Sequence, residues 1–286
     1  MDIEFAEREY ESAMNFELMA EPKWFTPSQP LEKTAGFDIA LVAMNAFPFA
    51  FLGEAIKTGI QLSPPILEVT KQRFDSSHFP RFKFNLFLNY KVGEYIRRSN
   101  GKEYTSWHHS YYRFDPDDDQ QQVLTSLQAR VGHSALVAYA APSFHTRTQL
   151  YKQFSRKWIA NSHYVKPATI GNHGRYSYVP GKVNGKVHSE SEDVEGFELR
   201  REIAEKIFES SEEMSNSQFI INTSRHVVEA SQESNNIGRV LRNAIAEFPL
   251  SLRQDEFLSA LATTQTFASL VNLSWMIVGS NQNELD

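Results

Sequence analysis

The chain has 286 residues, of which 41% are hydrophobic and 22% charged, and its formal net charge is −6. This composition is typical of a globular protein and excludes a disordered or fibrous chain. The absence of cysteine excludes disulfides, a thiolate nucleophile and cysteine-ligated zinc or iron–sulfur centres. The amino terminus lacks the pattern of a signal peptide, and the longest apolar stretch, Phe267 to Val278, is too short to span a bilayer. We therefore expect a soluble cytoplasmic protein with no membrane partner.

Charge is distributed in blocks along the chain. Residues 1–36 carry three basic and eight acidic side chains. Residues 37–186 carry nineteen basic and ten acidic side chains, and residues 187–286 carry seven basic and seventeen acidic side chains. Within the middle block, residues 120–186 contain nine lysines and arginines but no carboxylate. Because carboxylates repel phosphates, this composition favours a nucleic-acid-binding surface; the alternative is that the block pairs with the acidic last third of the chain. The predicted phosphate contacts are Arg147, Lys152, Arg156, Lys157, Lys166 and Arg175.

The first half of the chain alternates between helical and strand patterns. Residues 3–20 place apolar side chains at helical spacing and predict a helix. The apolar run 36–43 follows a glycine and predicts a short strand, and residues 47–59 predict a short helix. Residues 81–92 alternate Phe and Leu with polar side chains, which is the clearest strand pattern in the sequence.

The second half begins with a helix–strand–helix pattern and becomes mostly helical. The predicted elements are a helix at 120–131, a strand at 134–140, a helix at 147–158, short β-segments within 160–196, and helices at 195–214, 225–247 and 253–278. This order predicts an α/β fold with a mixed central sheet between helices and a helical C-terminal region. The predicted divisions are a core at 1–158 with an insertion near 45–80, an irregular β-rich segment at 159–195, and a helical region at 196–286.

Three side chains suited to phosphodiester hydrolysis fall where the predicted first helix and the strands should converge. Glu17 lies at the end of the first helix, with Glu21 as an alternative; Asp38 opens the first strand, and Lys91 lies near the end of the long strand. Mg²⁺ is bound by one or two carboxylates with water and phosphate oxygens. The metal activates water, and a lysine beside it stabilises the developing charge. Lysines at strand ends are also often merely solvated, and an Asp after Gly is often part of a turn.

The order of these residues resembles the PD-(D/E)xK nuclease superfamily, whose core is helix, three strands, helix and strand. The resemblance covers about residues 3–158, with Asn89-Tyr90-Lys91 at the position of the motif. It implies catalysis with Mg²⁺ or Mn²⁺ and gives Lys91 the role of the motif lysine. The implied metal ligands are Asp38, Glu17, Asn89 and the backbone carbonyl of Tyr90.

Two departures from the family pattern affect the predicted site. Asn89 is neutral where an anionic ligand is usual, although Mrr-type restriction nucleases are similar in carrying a neutral Gln at this position. Asp38 and Asn89 are 51 positions apart, which is longer than is common and requires the insertion at 45–80. Asp75, which is closer to the long strand, is the alternative acidic residue.

The sequence thus favours a Mg²⁺-dependent DNA endonuclease of bacterial restriction or anti-phage defence. The resemblance makes a regulatory protein partner plausible, and the apolar C-terminal helices allow a homodimer. A second hypothesis is a catalytically inactive subunit on the same fold that binds nucleic acid or protein. A third is a scaffold in which the basic and acidic blocks neutralise each other. His145, at the exit of a predicted strand, either contacts phosphate or packs against the next helix.

Overall fold

The architecture is described by a computed structural model. The residues that it describes are 3–19, 24–25, 81–97, 103–188, 192–209 and 214–280. Glu21, Asp38 and Asp75 lie outside these residues, as do the predicted strand 36–43, the predicted helix 47–59 and the predicted insertion.

The described residues form helices joined to two sheets. The helices are α1 (Glu7–Met19), α2 (Tyr104–Trp107), α3 (Asp118–Val131), α4 (Pro167–Ile170), α5 (Leu199–Glu209), α6 (Asn216–Ser231), α7 (Asn235–Ala246), α8 (Leu250–Gln254) and α9 (Glu256–Leu270). The strands are β1 (Trp24–Phe25), β2 (Arg81–Tyr90), β3 (Glu94–Ile96), β4 (Tyr111–Phe114), β5 (Ala135–Pro142), β6 (Ser162–Val165), β7 (Tyr176–Tyr178), β8 (Gly185–Val187), β9 (Glu192–Val194) and β10 (Leu273–Ser280).

The first sheet is mixed and has the strand order β1-β10-β2-β5-β6. Strands β2 and β5 are parallel, and the other neighbours are antiparallel. A parallel pair needs a crossover connection, and the chain between β2 and β5 includes α3, which packs against β5. The predicted α/β class with a mixed sheet is confirmed.

Helices cover the first sheet on both faces because its strands are apolar on both faces. Along β2, Phe84, Leu86 and Leu88 pack in a core cluster with α1 and α5. The intervening Phe87 packs on the other face, in a cluster that contains residues of α3, α6 and α9. A strand places successive side chains on opposite faces, so this two-sided burial explains why β2 is apolar at so many positions.

The second sheet is antiparallel, has the order β3-β4-β7-β8-β9, and packs against the first sheet through aromatic rings. The ring of Phe114 lies 5.5 Å from that of Tyr139 on β5. The hydroxyl of Tyr178 donates to the carbonyl of Pro142 at the end of β5. These contacts fix the second sheet beside the carboxyl ends of β2 and β5.

The C-terminal region is helical, as expected, but its last element was predicted wrongly. Residues 253–278 do not form one helix: α9 ends at Leu270, Asn272 adopts a left-handed φ of 51°, and the chain returns as β10. β10 pairs antiparallel with β2 along eight residues, from Leu273 opposite Asn89 to Ser280 opposite Arg81. Strands from all three predicted segments therefore share one sheet.

Two further predicted helices differ from the structure. Residues 147–158 contain only a short turn, with a π-helix at Gln149–Gln153 and a left-handed Arg156. The pattern at 225–247 is divided between α6 and α7, because the chain turns at Gln232–Ser234 and the Ser234 hydroxyl accepts from Ile237 N at the start of α7.

No helix among the residues that the structure describes is long and apolar enough to cross a membrane.

Candidate functional site at the carboxyl edge of the parallel strands

The candidate site lies where the parallel strands β2 and β5 end. Asn89 lies at the end of β2 and Lys91 is the first residue after it, and the backbone N–H of Lys91 donates to the carbonyl of Ala140 on β5. The first turn of α3 approaches the same edge, capped by the Asp117 carboxylate that accepts from Gln120 N. Ligands of open α/β sheets bind at the carboxyl ends of parallel strands, so this edge is where function is expected.

Lys91 is half-buried, and its ammonium group has a defined partner. Its Nζ donates to Oε1 of Gln120 at 2.8 Å and lies 5.7 Å from the centre of the Tyr139 ring. Burial lowers the pKa of Lys91, while the carboxylates of Glu7 and Asp117 act in the opposite direction. The side chain is thus a positioned and partly desolvated cation, and not the freely solvated lysine that is common at strand ends.

Asn89 is buried on the same face of β2 and has one unused polar atom. Its Nδ2 donates to the carbonyls of Asn272, at 2.7 Å, and Val271, at 3.3 Å. Since carbonyl oxygens only accept, the amide nitrogen must face them. This orientation leaves Oδ1 of Asn89 buried with no hydrogen-bond partner, and a water, an ion or a ligand group at this position would satisfy it.

Gln120 connects the two residues through the turn before β10. Its Oε1 accepts from Lys91, while its Nε2 donates to the carbonyl of Val271 at 2.6 Å. Val271 O therefore accepts from both Asn89 and Gln120. The turn at Val271–Asn272 orients both amides, so three distant parts of the sequence hold the site together.

The carboxylates of α1 near this cluster are Glu7 and Glu11, whereas the sequence analysis selected Glu17. Asn272 Nδ2 donates to Glu7 at 2.6 Å, and the Ser274 hydroxyl donates to Glu11 at 2.6 Å. Glu17 lies ten residues beyond Glu7, about 15 Å along the helix axis. Its carboxylate accepts from Ile159 N at 3.0 Å and lies 3.3 Å from Arg200. The structure does not bring Glu17 together with Lys91.

The described donors fit a metal ion only in part. The described ranges contain no group of three or more His, Cys, Asp or Glu side chains that could hold an ion. The unpartnered Oδ1 of Asn89 is an oxygen of the kind that Mg²⁺ prefers. The Tyr90 hydroxyl donates to Asn15 and its ring packs edge-on against Tyr10, so the predicted ligand at this residue stays its backbone carbonyl. A complete coordination shell would depend on Asp38, which lies outside the described residues.

Three of the six predicted phosphate contacts are paired with carboxylates. Arg147 lies 3.4 Å from Glu9, Lys166 lies 2.7 Å from Glu202, and Arg175 forms two 2.8 Å hydrogen bonds with Asp115. Pairs between the basic and acidic blocks also include Arg130 with Glu229 and Lys186 with Asp193. These contacts support in part the hypothesis that the blocks neutralise each other.

The other three predicted contacts, Lys152, Arg156 and Lys157, are exposed. Within the described part of the chain they make no ion pair; the guanidinium of Arg156 instead lies 5.9 Å from the centre of the Phe16 ring. These three side chains remain available to an external anion.

His145 packs at the same edge. Its ring stacks on Tyr95 at 4.1 Å, and its Nδ1 is hydrogen-bonded to the hydroxyl of Tyr112. Burial is the main cause that lowers the pKa of His145, which favours the neutral form. This environment supports the packing alternative for His145.

The sequence analysis missed Gln120, Glu7 and Glu11. A signal for Gln120 was present, because it lies three residues after the helix-capping Asp117 in the crossover between the two strands, where the first helical turn must lie near the strand ends. Glu7 had no such signal, since its position depends on the contact of α1 with the turn before β10.

Comparison with known proteins adds no assignment to this geometry: no family model, curated protein or solved structure matches the chain.

Proposed function

We propose that the chain is a metal-dependent nuclease that hydrolyses DNA phosphodiester bonds at the carboxyl edge of β2 and β5. The observation that carries the proposal is the position of Lys91, a partly desolvated cation fixed by Gln120 at the end of a parallel strand. Developing negative charge is stabilised most effectively by a donor that is already oriented in a site with little water.

The order of the described elements supports the same proposal. Strand β2, helix α3 and strand β5 occur in this order, with β3, α2 and β4 between β2 and α3, and β2 and β5 are parallel. The helix α3 and the strand β5 resemble the second half of a restriction-endonuclease-like core. Assignment to bacterial restriction or anti-phage defence, and to a regulated nuclease with a protein partner, rests on the sequence resemblance.

In this proposal each residue of the edge has a separate role. Lys91 places a positive charge beside the scissile phosphate and orients the attacking water, and Gln120 holds its amine. Asn89 Oδ1 and Asp38 would hold Mg²⁺ or Mn²⁺. The metal, when bound, would activate the water and neutralise charge on the phosphate. Glu7 and Glu11 replace Glu17 as the helix carboxylates nearest to the edge.

The test is cleavage of plasmid DNA with Mg²⁺ or Mn²⁺ by the wild-type protein and by Lys91→Met. We expect the substitution to lower the rate by about 100-fold or more, the scale of losing one oriented charge-stabilising donor. Lys83→Met is the matched control, because Lys83 lies in the same strand, eight positions earlier, and should leave the rate unchanged. Thermal melting of both variants separates loss of activity from loss of folding. Cleavage by Lys91→Met at the wild-type rate would show that the site is wrong.

A second candidate function is a catalytically inactive subunit that binds nucleic acid. It is favoured by the neutral Asn89 and by the lack of a metal-binding group among the described residues. No cleavage with either metal, together with DNA binding that weakens steeply with salt, would support this function over the nuclease.

A further inference from the structure

An exposed surface of aromatic and basic side chains lies along α1, away from the cluster at Lys91. Its members, called the Phe16 patch here, are Phe16, Tyr151, Lys152, Arg156 and Lys157. The rings of Phe16 and Tyr151 are 52% and 53% exposed, whereas most other rings in the described part of the chain are buried, with Phe208 as a further exception. Exposed apolar surface among charged side chains indicates a binding function.

One member of the patch, Phe16, lies on α1, and the other four lie in the segment 151–157. Contacts between α1 and the segment 151–158 hold them next to each other. The Tyr151 hydroxyl donates to Glu9 at 2.8 Å, and Phe16 packs edge-on against Trp158 at 6.4 Å between ring centres. Glu9 and Phe16 are seven residues apart, so they share one face of the helix about 10.5 Å apart along its axis. That distance corresponds to about three nucleotides at the rise of one stacked strand.

The cations of the patch are exposed. Lys152, Arg156 and Lys157 form no ion pair within the part of the chain that the structure describes, unlike Arg147, Lys166 and Arg175. Arg156 adopts a left-handed φ of 58°, uncommon for a residue with a side chain, and this conformation accompanies the placement of its guanidinium 5.9 Å from the Phe16 ring.

The carboxylate beside the patch is already satisfied. Glu9 accepts from Ala6 N, from the Tyr151 hydroxyl and from Arg147. Its negative charge is therefore partly compensated within the protein, and it fixes the position of the Tyr151 ring.

We propose that the Phe16 patch binds single-stranded nucleic acid, with bases stacked on the Phe16–Arg156 pair and on Tyr151, and with phosphates on Lys152 and Lys157. Unpaired bases stack on aromatic rings and on arginine planes, whereas the bases of a duplex are not accessible to them. This inference rests on the proposed function for its choice of nucleic acid, and it deepens that function by making an unpaired strand part of the substrate.

The test is fluorescence anisotropy with labelled oligonucleotides in EDTA, so that binding is measured without cleavage. The probes are oligo-dT, an abasic strand of equal length and a blunt duplex. The wild-type protein should bind oligo-dT most tightly, and Phe16→Ala should weaken that binding by about five- to a hundredfold while leaving the abasic strand unchanged. Phe208→Ala is the matched control, because Phe208 is 92% exposed on α5, and it should have no effect.

Two further measurements separate stacking from charge. Tyr151→Phe keeps the ring but loses the hydrogen bond to Glu9, so it should weaken binding less than Tyr151→Ala does. Replacing Lys152 and Lys157, the two proposed phosphate contacts, by Gln should reduce the slope of log affinity against log salt by about 1.4, because each single-strand phosphate contact contributes about 0.7.

The proposal is overturned if Phe16→Ala behaves like Phe208→Ala, if the abasic strand binds as tightly as oligo-dT, or if the duplex binds most tightly and is insensitive to Phe16. Lys83→Met, the control of the cleavage assay, should bind oligo-dT as the wild type does. Binding lost in Phe16→Ala without any cleavage by the wild-type protein would support the patch and reject the nuclease, and cleavage with binding insensitive to Phe16 would do the reverse.

Discussion

Replacing Asn89 by aspartate tests the proposed metal site directly. The substitution changes an amide to a carboxyl at nearly constant volume, and it introduces the anionic residue that is usual at this position of the motif that the sequence resembles. In the protein without metal, the introduced carboxylate would face the carbonyl oxygens of Val271 and Asn272, which now accept from Asn89. With metal bound, the same carboxylate would strengthen coordination, because it adds negative charge to the site.

The expected cost without metal follows from the lost hydrogen bonds. The bond to Asn272 O is short, at 2.7 Å, and Val271 O keeps a second donor in Gln120. Leaving one buried acceptor without a donor and burying a carboxylate costs about 3 kcal/mol, or roughly 5 °C in melting temperature for a chain of this length. Burial raises the pKa of the new carboxyl, so the native state holds the proton more tightly than the unfolded chain. The variant should therefore lose stability as pH rises through that pKa.

The assay is thermal melting with and without 10 mM Mg²⁺ or Mn²⁺. A ligand present at 100 times its dissociation constant adds about 2.7 kcal/mol to stability, so metal should restore most of the loss in Asn89→Asp. Asn85→Asp is the matched control, because Asn85 is equally buried on the same strand. Both of its amide atoms have partners: Nδ2 donates to Thr223, and Oδ1 accepts from Trp275. Its carboxylate variant should show no metal response.

An equal response of the two variants to metal would refute the reasoning. In that case the unpartnered Oδ1 of Asn89 would not lie at a cation site, and the second candidate function, an inactive binding subunit, would be preferred. A wild-type melting temperature that rises with metal while Asn89→Asp does not respond would place the metal elsewhere.

Two further predictions concern buried polar groups away from the site. Burial lowers the pKa of His163 to about 4, so below pH 6.5 the unfolded chain binds a proton that the native protein does not. Chemical denaturation should show that the free energy of unfolding of the wild type falls by about 3 kcal/mol between pH 6.5 and pH 4 through this group. The free energy of unfolding of His163→Gln should change less over the same pH range. Identical pH profiles of the two proteins would contradict the lowered pKa. Trp275→Phe removes the 2.8 Å bond from the indole N–H to Asn85 and should cost about 1–3 kcal/mol, whereas Asn85→Leu with Trp275→Phe together should cost less than the sum of the single changes.

The sequence predicted the centre of the fold because local pattern and tertiary environment agree there. Alternation marks β2, and Asp117 marks the start of α3 with a capping side chain that the structure shows accepting from Gln120 N. The apolar run of β5 is buried at every position, as a strand covered on both faces requires. These elements needed no information about distant contacts.

The end of the chain could not be predicted from pattern alone. A continuous apolar run is compatible with a buried helix or a buried strand, and residues 257–278 contain both in succession. The local signal for the change was Asn272, since asparagine tolerates the left-handed conformation that ends a helix. Trp275 and Ile277 in β10 are of residue types that favour strands. They pair opposite Phe87 and Asn85 of β2.

The charge pattern predicted an exposed basic surface but not which of its members are free. Lys166 and Arg175 meet carboxylates that are distant in sequence or come from another block, so no local feature distinguishes them from Lys152 and Lys157. The choice of Glu17 failed for a related reason. Helical spacing predicts on which face of a helix a carboxylate lies, but it does not predict which end of the helix lies near the strands.

The C-terminal segment is an integral part of the candidate site. The turn that ends α9 supplies the carbonyls that orient Asn89 and Gln120, and the Asn272 side chain donates to Glu7. Since Gln120 in turn holds the amine of Lys91, the geometry of the lysine depends on residues about 180 positions later in the chain. A nuclease confined to the first 158 residues would therefore lack the interior strand β10 and the carbonyl of Val271 that orients Gln120, so we expect cleavage to require the chain through β10.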